Sequence, residues 1–415
     1  MTLPQDIYVR YQTIDINESK KSQAETFKEM LSKKQPIKID IGAVYNNSPK
    51  YKSSRHAQHL AKGEFVIPKE KEIVFDIDMT DYDPVRLCCD GAKICEKCWP
   101  LMRVACKILK FQLERSFGFK HLLFVYSGRR GVHCWVADKK AREYPAAVRT
   151  ALAQYLQLLS GGGGSGTILP PHGACENKKI KVYNETFNKC EIYQNSISII
   201  DQYFEEYLSQ QGFFEGPKEK FWKITGLILN EKIRNSLNEK LANISDDNPD
   251  ARIACFLKFL SGKPGSGNPA WTVNFLHEIK LQLCYPRLDI NVSKDVHHLL
   301  KSPFSIHPKT GNVCVPFSHS DIDNFNPFTD TPKLGQIVKQ LNEPRNAEAY
   351  KNGKDSEHFL TDLSKFNKIF GEFVEGVCAE EDGIVREYYE ERGLGCSPEK
   401  KKKMEMLKEE NMVVG

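Results

Sequence analysis

The sequence predicts an α/β fold in which a mixed β-sheet core carries an inserted helical subdomain. Three observations predict it. Four segments alternate apolar and polar residues with period two, the repeat of a half-buried strand. LLFVY, SGRRG and VHCWV (122–136) read as strand, glycine-flanked turn and strand. The span from about 192 to 260 has helical spacing and is fenced by two linker-like stretches, GGGGSG (161–166) and SGKPGSGNP (261–269).

Each element follows from its own residues. IYVRYQ places Ile7, Val9 and Tyr11 on one face, with Tyr8, Arg10 and Gln12 on the other. PIKIDIG sets Ile37, Ile39 and Ile41 against Lys38 and Asp40. EIVFDIDM sets Ile73, Phe75 and Ile77 against Asp76 and Asp78. After Pro100, the residues Leu101, Val104, Ala105, Ile108 and Phe111 form a helical stripe that ends before Gly118. Ile197, Ile200, Phe204, Tyr207 and Leu208 keep helical spacing in the insertion. RLDINVS is expected as a strand, with Leu288, Ile290 and Val292 opposing Arg287, Asp289, Asn291 and Ser293. An amphipathic helix holds Phe359, Leu360, Leu363, Phe366, Ile369, Phe370 and Phe373. The charged stretch 379–415, with KKKK at 400–403, reads as a solvated tail or a nuclear-import signal. The expected organisation is an α/β part at 1–175, a helical insertion at 176–271, a second α/β part at 272–345, and a helix with charged tail at 346–415.

Composition narrows the class. The 415 residues are 40% hydrophobic, enough for a substantial core. A net charge of +5 is mild, so a nucleic-acid surface would be a local patch. No apolar run approaches the ~20 residues of a membrane span, and no secretory signal opens the chain, so no membrane partner is expected. Thirteen irregularly spaced cysteines then read as reduced thiols.

The chemistry concentrates in a few short stretches. On a strand, Asp76 and Asp78 point the same way, whereas a helix would turn them about 200° apart. Two like charges so close call for a cation between them. A third carboxylate should complete such a cage, with Asp289 the stronger candidate and Asp40 the weaker. DIDMT also matches the D-x-D-x-T pattern of aspartate-nucleophile phosphatases, but no convincing downstream lysine or acidic pair accompanies it. Cys88, Cys89, Cys95 and Cys98 can close a tetrahedral, structural zinc site, and small buried hydrophobes are the alternative. Cys106 and Cys284 sit in apolar patterns and read as core. SGRRGVH gathers Arg129, Arg130 and His133 beside two glycines, a phosphate-binding composition. Arg287, Asn291, Lys301 and His307 add cations and polar groups near Asp289, whereas His297 and His298 read as a solvated helix face.

FDIDMTDYD, CC-x5-C-x2-CW, YSGRRGVHCW and PRLDINVSK followed by LLKSPFS-x-HPKTG occur in that order. Together they closely resemble the small catalytic subunit of eukaryotic DNA primase, in the archaeo-eukaryotic primase family. The match runs from about residue 6 to 330 and is weak through the insertion.

The resemblance implies a prim-type α/β catalytic fold and DNA-templated synthesis of short RNA primers from ribonucleoside triphosphates. It implies catalytic Mg²⁺ or Mn²⁺ on Asp76, Asp78 and Asp289, and structural Zn²⁺ on Cys88, Cys89, Cys95 and Cys98. It implies nucleotide contacts at Ser127, Arg129, Arg130, His133, Arg287, Asn291, Lys301 and His307, with Tyr8, Arg10, Lys38 and Asp40 on strands lining the same site. It implies a larger primase subunit, the DNA polymerase alpha complex and a single-stranded DNA template as partners, and a nuclear location. The family pattern also includes a helical segment ahead of IYVRYQ with an acidic residue near the site, and the expectation is that this sequence does not supply it. A phosphatase, or a non-catalytic nucleic-acid-binding zinc module, are the competing expectations.

Overall fold

The computed structural model describes residues 23–47, 51, 65–160, 191–263, 267–269, 272–344, 346 and 360–390. The expected strand carrying Tyr8 and Arg10, the GGGGSG stretch, Phe359 and KKKK lie outside the described residues.

Helix α1 (Gln23–Lys34), which the sequence reading does not anticipate, leads into strands β1 (Asp40–Ile41), β2 (Val44–Tyr45) and β3 (Pro68–Glu70). Then come β4 (Ile73–Asp78), α2 (Trp99–Phe117), β5 (Leu122–Tyr126), β6 (Gly131–Val136), α3 (Lys139–Arg142), α4 (Ala146–Leu156) and β7 (Leu159–Ser160). Five helices follow: α5 (Glu191–Asp201), α6 (Phe204–Gln211), α7 (Glu219–Thr225), α8 (Glu231–Ala242) and α9 (Pro249–Leu260). After α10 (Val273–Cys284) the chain returns to the sheet with β8 (Arg287–Leu288), α11 (Ile290–Lys294), β9 (Leu300–Lys301) and β10 (Pro316–Phe317). Helices α12 (Leu334–Leu341) and α13 (Ser364–Glu390) complete the described chain.

The central sheet has the order β10-β5-β6-β4, with every pair antiparallel. The expected hairpin is present as β5 and β6, and the register of β6 against β4 sets Asp76 opposite His133 and Asp78 opposite Gly131. Beyond β4, a bridge joins Asp76 to Asp289, and β8 pairs in parallel with β7. Among the described residues the four-stranded sheet is wholly antiparallel, and the parallel pairing lies in the separate β7–β8 pair.

Its two faces differ. Ile73, Phe75 and Ile77 are fully buried and share one continuous core with Leu101, Val104, Ala105 and Ile108 of α2. Gly118 ends α2 in the left-handed conformation, φ 71°, and donates its N–H to Glu114. Phe204, Tyr207, Phe213 and Phe221 join the same core, so the inserted helices pack onto the sheet module. Cys106 and Cys284 are buried there, as expected. On the other face Val74, Leu123, Val125 and Trp135 are covered by Val292, Leu300, Cys314 and by Ile369, Phe370 and Phe373 of α13.

Four expectations change. RLDINVS is a strand only at Arg287–Leu288, because the Asp289 side chain accepts the Asn291 N–H at 3.1 Å and starts a helix. In PIKIDIG only Asp40–Ile41 form a strand, and Ile37 and Ile41 remain 52% and 36% exposed. The physical reason is that their two-residue partner β9 offers an edge and no stacked layer. His297 and His298 lie in a turn, where His297 stacks on Tyr45 with centroids 6.3 Å apart. The C-terminal helix starts at Ser364, so Leu360 precedes it, and it continues to Glu390, inside the expected tail.

Candidate functional site

Asp76 and Asp78 stand at the C-terminal end of β4 and point to the face that α13 leaves uncovered at that end. Asp289 reaches them through the backbone, its N–H donating to the Asp76 carbonyl at 3.2 Å. Three carboxylates therefore meet where two separated segments touch. Burial pushes Asp76 up to about 7, and the charges of Asp78 and Asp289 add to this against the opposing pull of Lys301 and His298. Asp78 behaves differently. Burial pushes it up, but Arg130 and Thr80 outweigh that and hold it below the usual carboxylate range. Arg130 Nε lies 2.7 and 2.9 Å from the two Asp78 oxygens. The Thr80 N–H and hydroxyl each donate to Oδ1 at 2.9 Å.

The basic turn closes against the second half of the chain. Ser127 N–H donates to the Gly131 carbonyl at 2.9 Å, and Gly131 N–H donates back to Ser127 Oγ at 3.1 Å. A Cβ on Gly131 would sit 2.6 Å from the Ile77 carbonyl, so only glycine lets this turn lie on β4. Gly128 has φ +85°, and its carbonyl accepts from the Thr310 hydroxyl at 2.8 Å and the Asn312 amide at 3.1 Å. Lys301 donates its ammonium to the Ser127 carbonyl. Lys301 also faces Asp40 across β1 and β9, and Lys38 pairs with Asp40 at 3.0 Å.

Both site histidines are pulled below the ordinary imidazole range. Burial pulls His133 down to about 4, helped by Lys301 and opposed by Asp78. Its Nε2 lies 3.5 Å from Asp76, and its buried Nδ1 has no hydrogen-bond partner. His307 is lowered by burial and then by Lys301, Arg129, Arg130 and Lys309, which places it among these cations.

The structure thus gathers Lys38, Asp40, Asp76, Asp78, Ser127, Arg129, Arg130, His133, Asp289, Lys301 and His307 around one end of the sheet. Asn291 is exposed on the first turn of α11. Arg287 faces inward instead, at 1% exposure, with its guanidinium over the Tyr82 ring and a 2.7 Å hydrogen bond to the Gln282 carbonyl. The short strand and the following helix remove the alternation that would have turned it outward.

An excess of buried negative charge beside several cations suits a divalent ion carrying a polyphosphate. The oxygens of Asp76, Asp78 and Asp289 do not form one tight cluster of atoms within 4.8 Å.

The four cysteines form a compact centre. Sγ separations are 3.8 Å for Cys88–Cys89, 3.8 Å for Cys89–Cys95, 3.7 Å for Cys89–Cys98 and 3.9 Å for Cys95–Cys98. Zinc–sulfur bonds of about 2.3 Å give a tetrahedron with edges of about 3.8 Å, so these residues fit a structural zinc. The Cys98 thiol is pulled down to about 5 by the Cys88 thiol, and against burial by the Cys95 N–H and Arg86. Burial, followed by the charge of Cys98, pushes Cys89 up to about 11.

Sequence reasoning missed what holds this knuckle. Arg86, 3% exposed, donates to Asp83 at 2.8 Å and to the Lys93 carbonyl at 2.7 Å, and approaches Cys89 and Cys98 at 3.4 and 3.6 Å. Gln211 of α6 accepts the Leu87 N–H at 2.7 Å and donates to the Lys97 carbonyl at 2.7 Å. The adjacency of Arg86 to the cysteines was the one available signal.

Comparison with known proteins gives a consistent result. The family described as DNA primase small subunit matches residues 75–319. A DNA primase small subunit of Drosophila melanogaster is 36% identical over 385 residues, covering 90% of this chain and 82% of the fly protein. That of Caenorhabditis elegans is 38% identical over 359 residues, covering 82% of this chain and 78% of its own length. That of Saccharomyces cerevisiae is 33% identical over 380 residues, covering 87% and 80%.

Proposed function

The chain belongs to the DNA primase small subunit family, and from that premise we propose that it makes short RNA primers on a single-stranded DNA template for the start of DNA replication. The observation that carries the reading is the meeting of Asp76, Asp78 and Asp289 with Arg130, His133, Lys301 and His307 from both halves of the chain. Family membership sets the phosphatase reading aside.

In this reading Asp76, Asp78 and Asp289 hold Mg²⁺ or Mn²⁺. Those ions, when bound, activate a 3′-hydroxyl and neutralise charge on the phosphates during attack on the α-phosphate and loss of pyrophosphate. The protein's own groups bind and orient. Arg130, engaged with Asp78 in the free protein, transfers its hydrogen bonds to the triphosphate as nucleotide enters. Arg129, Lys301, Ser127, His133 and His307 complete the phosphate cradle. Asn291 is assigned to the sugar and Lys38 and Asp40 to the rim of the site, and Tyr8 and Arg10 are assigned to the same nucleotide-binding set from the sequence. Arg287 serves beneath the site by fixing the segment that presents Asp289. No protein nucleophile is required.

The finer assignments form one picture: catalytic parts at 1–175 and 272–345, a helical insertion at 176–271, and a terminal helix with tail at 346–415. The partners are a larger primase subunit and the DNA polymerase alpha complex, and the location is the nucleus, as for the eukaryotic family members. The test is primer synthesis by the chain with its larger subunit on single-stranded template with ribonucleoside triphosphates. Loss of products in Asp76→Ala plus Asp78→Ala, with template binding retained, supports the reading. Undiminished synthesis would overturn it, and binding without synthesis by the unaltered chain would favour a non-catalytic zinc module.

A further inference from the structure

The geometry points to a second transition-metal site, of the zinc class, formed by His121, Asp138 and Glu380, which fastens α13 to the end of the sheet. His121 immediately precedes β5 and Asp138 follows β6, so both lie at the opposite end of the hairpin from the Arg129–Arg130 turn. Five strand residues span roughly 17 Å, and the position is therefore separate from the carboxylates on β4.

One ligating atom from each residue lies within 4.8 Å of the other two. Asp138 is 6% exposed and already oriented: one oxygen accepts the Lys120 N–H at 2.8 Å and the other the His121 N–H at 3.1 Å. Each oxygen keeps a second lone pair. Glu380 Oε2 lies 3.2 Å from His121 Nε2. That oxygen is shielded from solvent and yet accepts no hydrogen bond. The two atoms are close without donor-to-acceptor alignment, as expected when both direct lone pairs at a common third atom. Ligands about 2.0–2.1 Å from a tetrahedral ion stand roughly 3.3 Å apart, in keeping with the observed separation. Gly376, one turn before Glu380, faces the imidazole, and a Cβ there would make ordinary contact 3.5 Å from the ring.

The donor set of one imidazole and two carboxylates suits zinc better than magnesium, which prefers all-oxygen surroundings. A fourth position is open to water, since His121 and Glu380 side chains keep 15% and 26% exposure. The ion would lock α13 where Ile369, Phe370 and Phe373 cover Trp135 and Val125.

The experiment is metal analysis of the full chain after equilibration with excess zinc and removal of loosely bound metal. The expected result is about two zinc ions per chain in the unaltered protein, falling to about one in His121→Gln, in Glu380→Gln and, independently, in Cys98→Ser. Hydrogen exchange supplies the second readout: zinc should slow exchange in α13 of the unaltered chain and leave the Glu380→Gln variant unchanged. One zinc in the unaltered chain, or two in either the His121 or the Glu380 variant, overturns the proposal and leaves a histidine–carboxylate ion pair. Equal exchange in α13 with and without zinc overturns it as well.

Discussion

The cysteine knuckle and the carboxylate cluster both crowd negative charge, yet they are built in opposite ways. The knuckle draws all four thiols from residues 88–98, and its supports Asp83 and Arg86 are adjacent in sequence. The carboxylate cluster takes Asp76 and Asp78 from one strand and Asp289 from beyond the whole helical insertion. Charge in the knuckle is relieved locally by Arg86, whereas burial and the charges of Asp78 and Asp289 push the Asp76 carboxyl up against the pull of Lys301 and His298. On the proposed function, the difference assigns the knuckle to the fold and the carboxylates to a ligand. Altering the first should cost stability, and altering the second should cost activity.

The largest effect should separate the two regions outright. Asp76→Asn or Asp289→Asn should lower primer synthesis by about 10³-fold, the scale of losing a principal electrostatic group. Thermal melting of the same variants should be equal to or above that of the unaltered chain, because a buried repulsion is removed. A matching collapse in melting temperature would erase the contrast.

Cys98→Ser should do the reverse. It should release the structural zinc and cost about 4 kcal/mol or more, among the large effects associated with losing a metal, measured by denaturant unfolding with metal analysis alongside. Arg86→Ala should come next. Its partner Asp83 keeps 34% exposure, so the cost should fall below the roughly 3–5 kcal/mol of a fully buried pair. Chelator resistance of the zinc should fall with it.

Gly128→Ala probes the joint between the two chain halves. Its φ of +85° and a Cβ 2.9 Å from that of His307 should cost about 1–3 kcal/mol. The Michaelis constant for nucleotide should rise, since the Arg129–Arg130 turn and His307 move together.

The smallest effect is a pH slope. Asp76 titrates in the folded protein at about 7, above its unfolded value. Its contribution to stability is present in acid and is lost as pH rises through about 7. Mg²⁺ competes with that proton, so affinity should rise by up to about tenfold per pH unit below 7 and flatten above it. His133 has the opposite sign: lowered to about 4, it withdraws stability as pH falls from its unfolded value toward 4. Calorimetric Mg²⁺ titrations in the unaltered chain and in Asp76→Asn isolate the first slope, which should vanish in the variant.

Much of this contrast was legible in the residues. Ile73, Phe75 and Ile77 announced a strand with aspartates on its reverse, and SGRRG announced a tight turn between strands. The C-x-x-C spacing announced the knuckle. RLDINVS misled because its alternation is equally compatible with a strand and with a strand broken by an aspartate cap. The Asp289 side chain, bonding to the backbone two residues on, decided between them. Gln211 carried no pattern, since its partners, the Leu87 amide and the Lys97 carbonyl, lie more than a hundred residues away and only folding brings them near.

By itself, then, the sequence determined the α/β class, the β4 aspartate pair, the basic turn and the cysteine ligands. Each depends on the period, turn chemistry or spacing of a few neighbouring residues. Tertiary structure alone decided that Asp289 bridges to Asp76, that Arg287 turns inward onto Tyr82, and that α13 closes the second face of the sheet beside His121 and Asp138. These are contacts between segments far apart in the chain. Packing selects them by burying apolar side chains, and no local pattern in the residues encodes which distant partner wins.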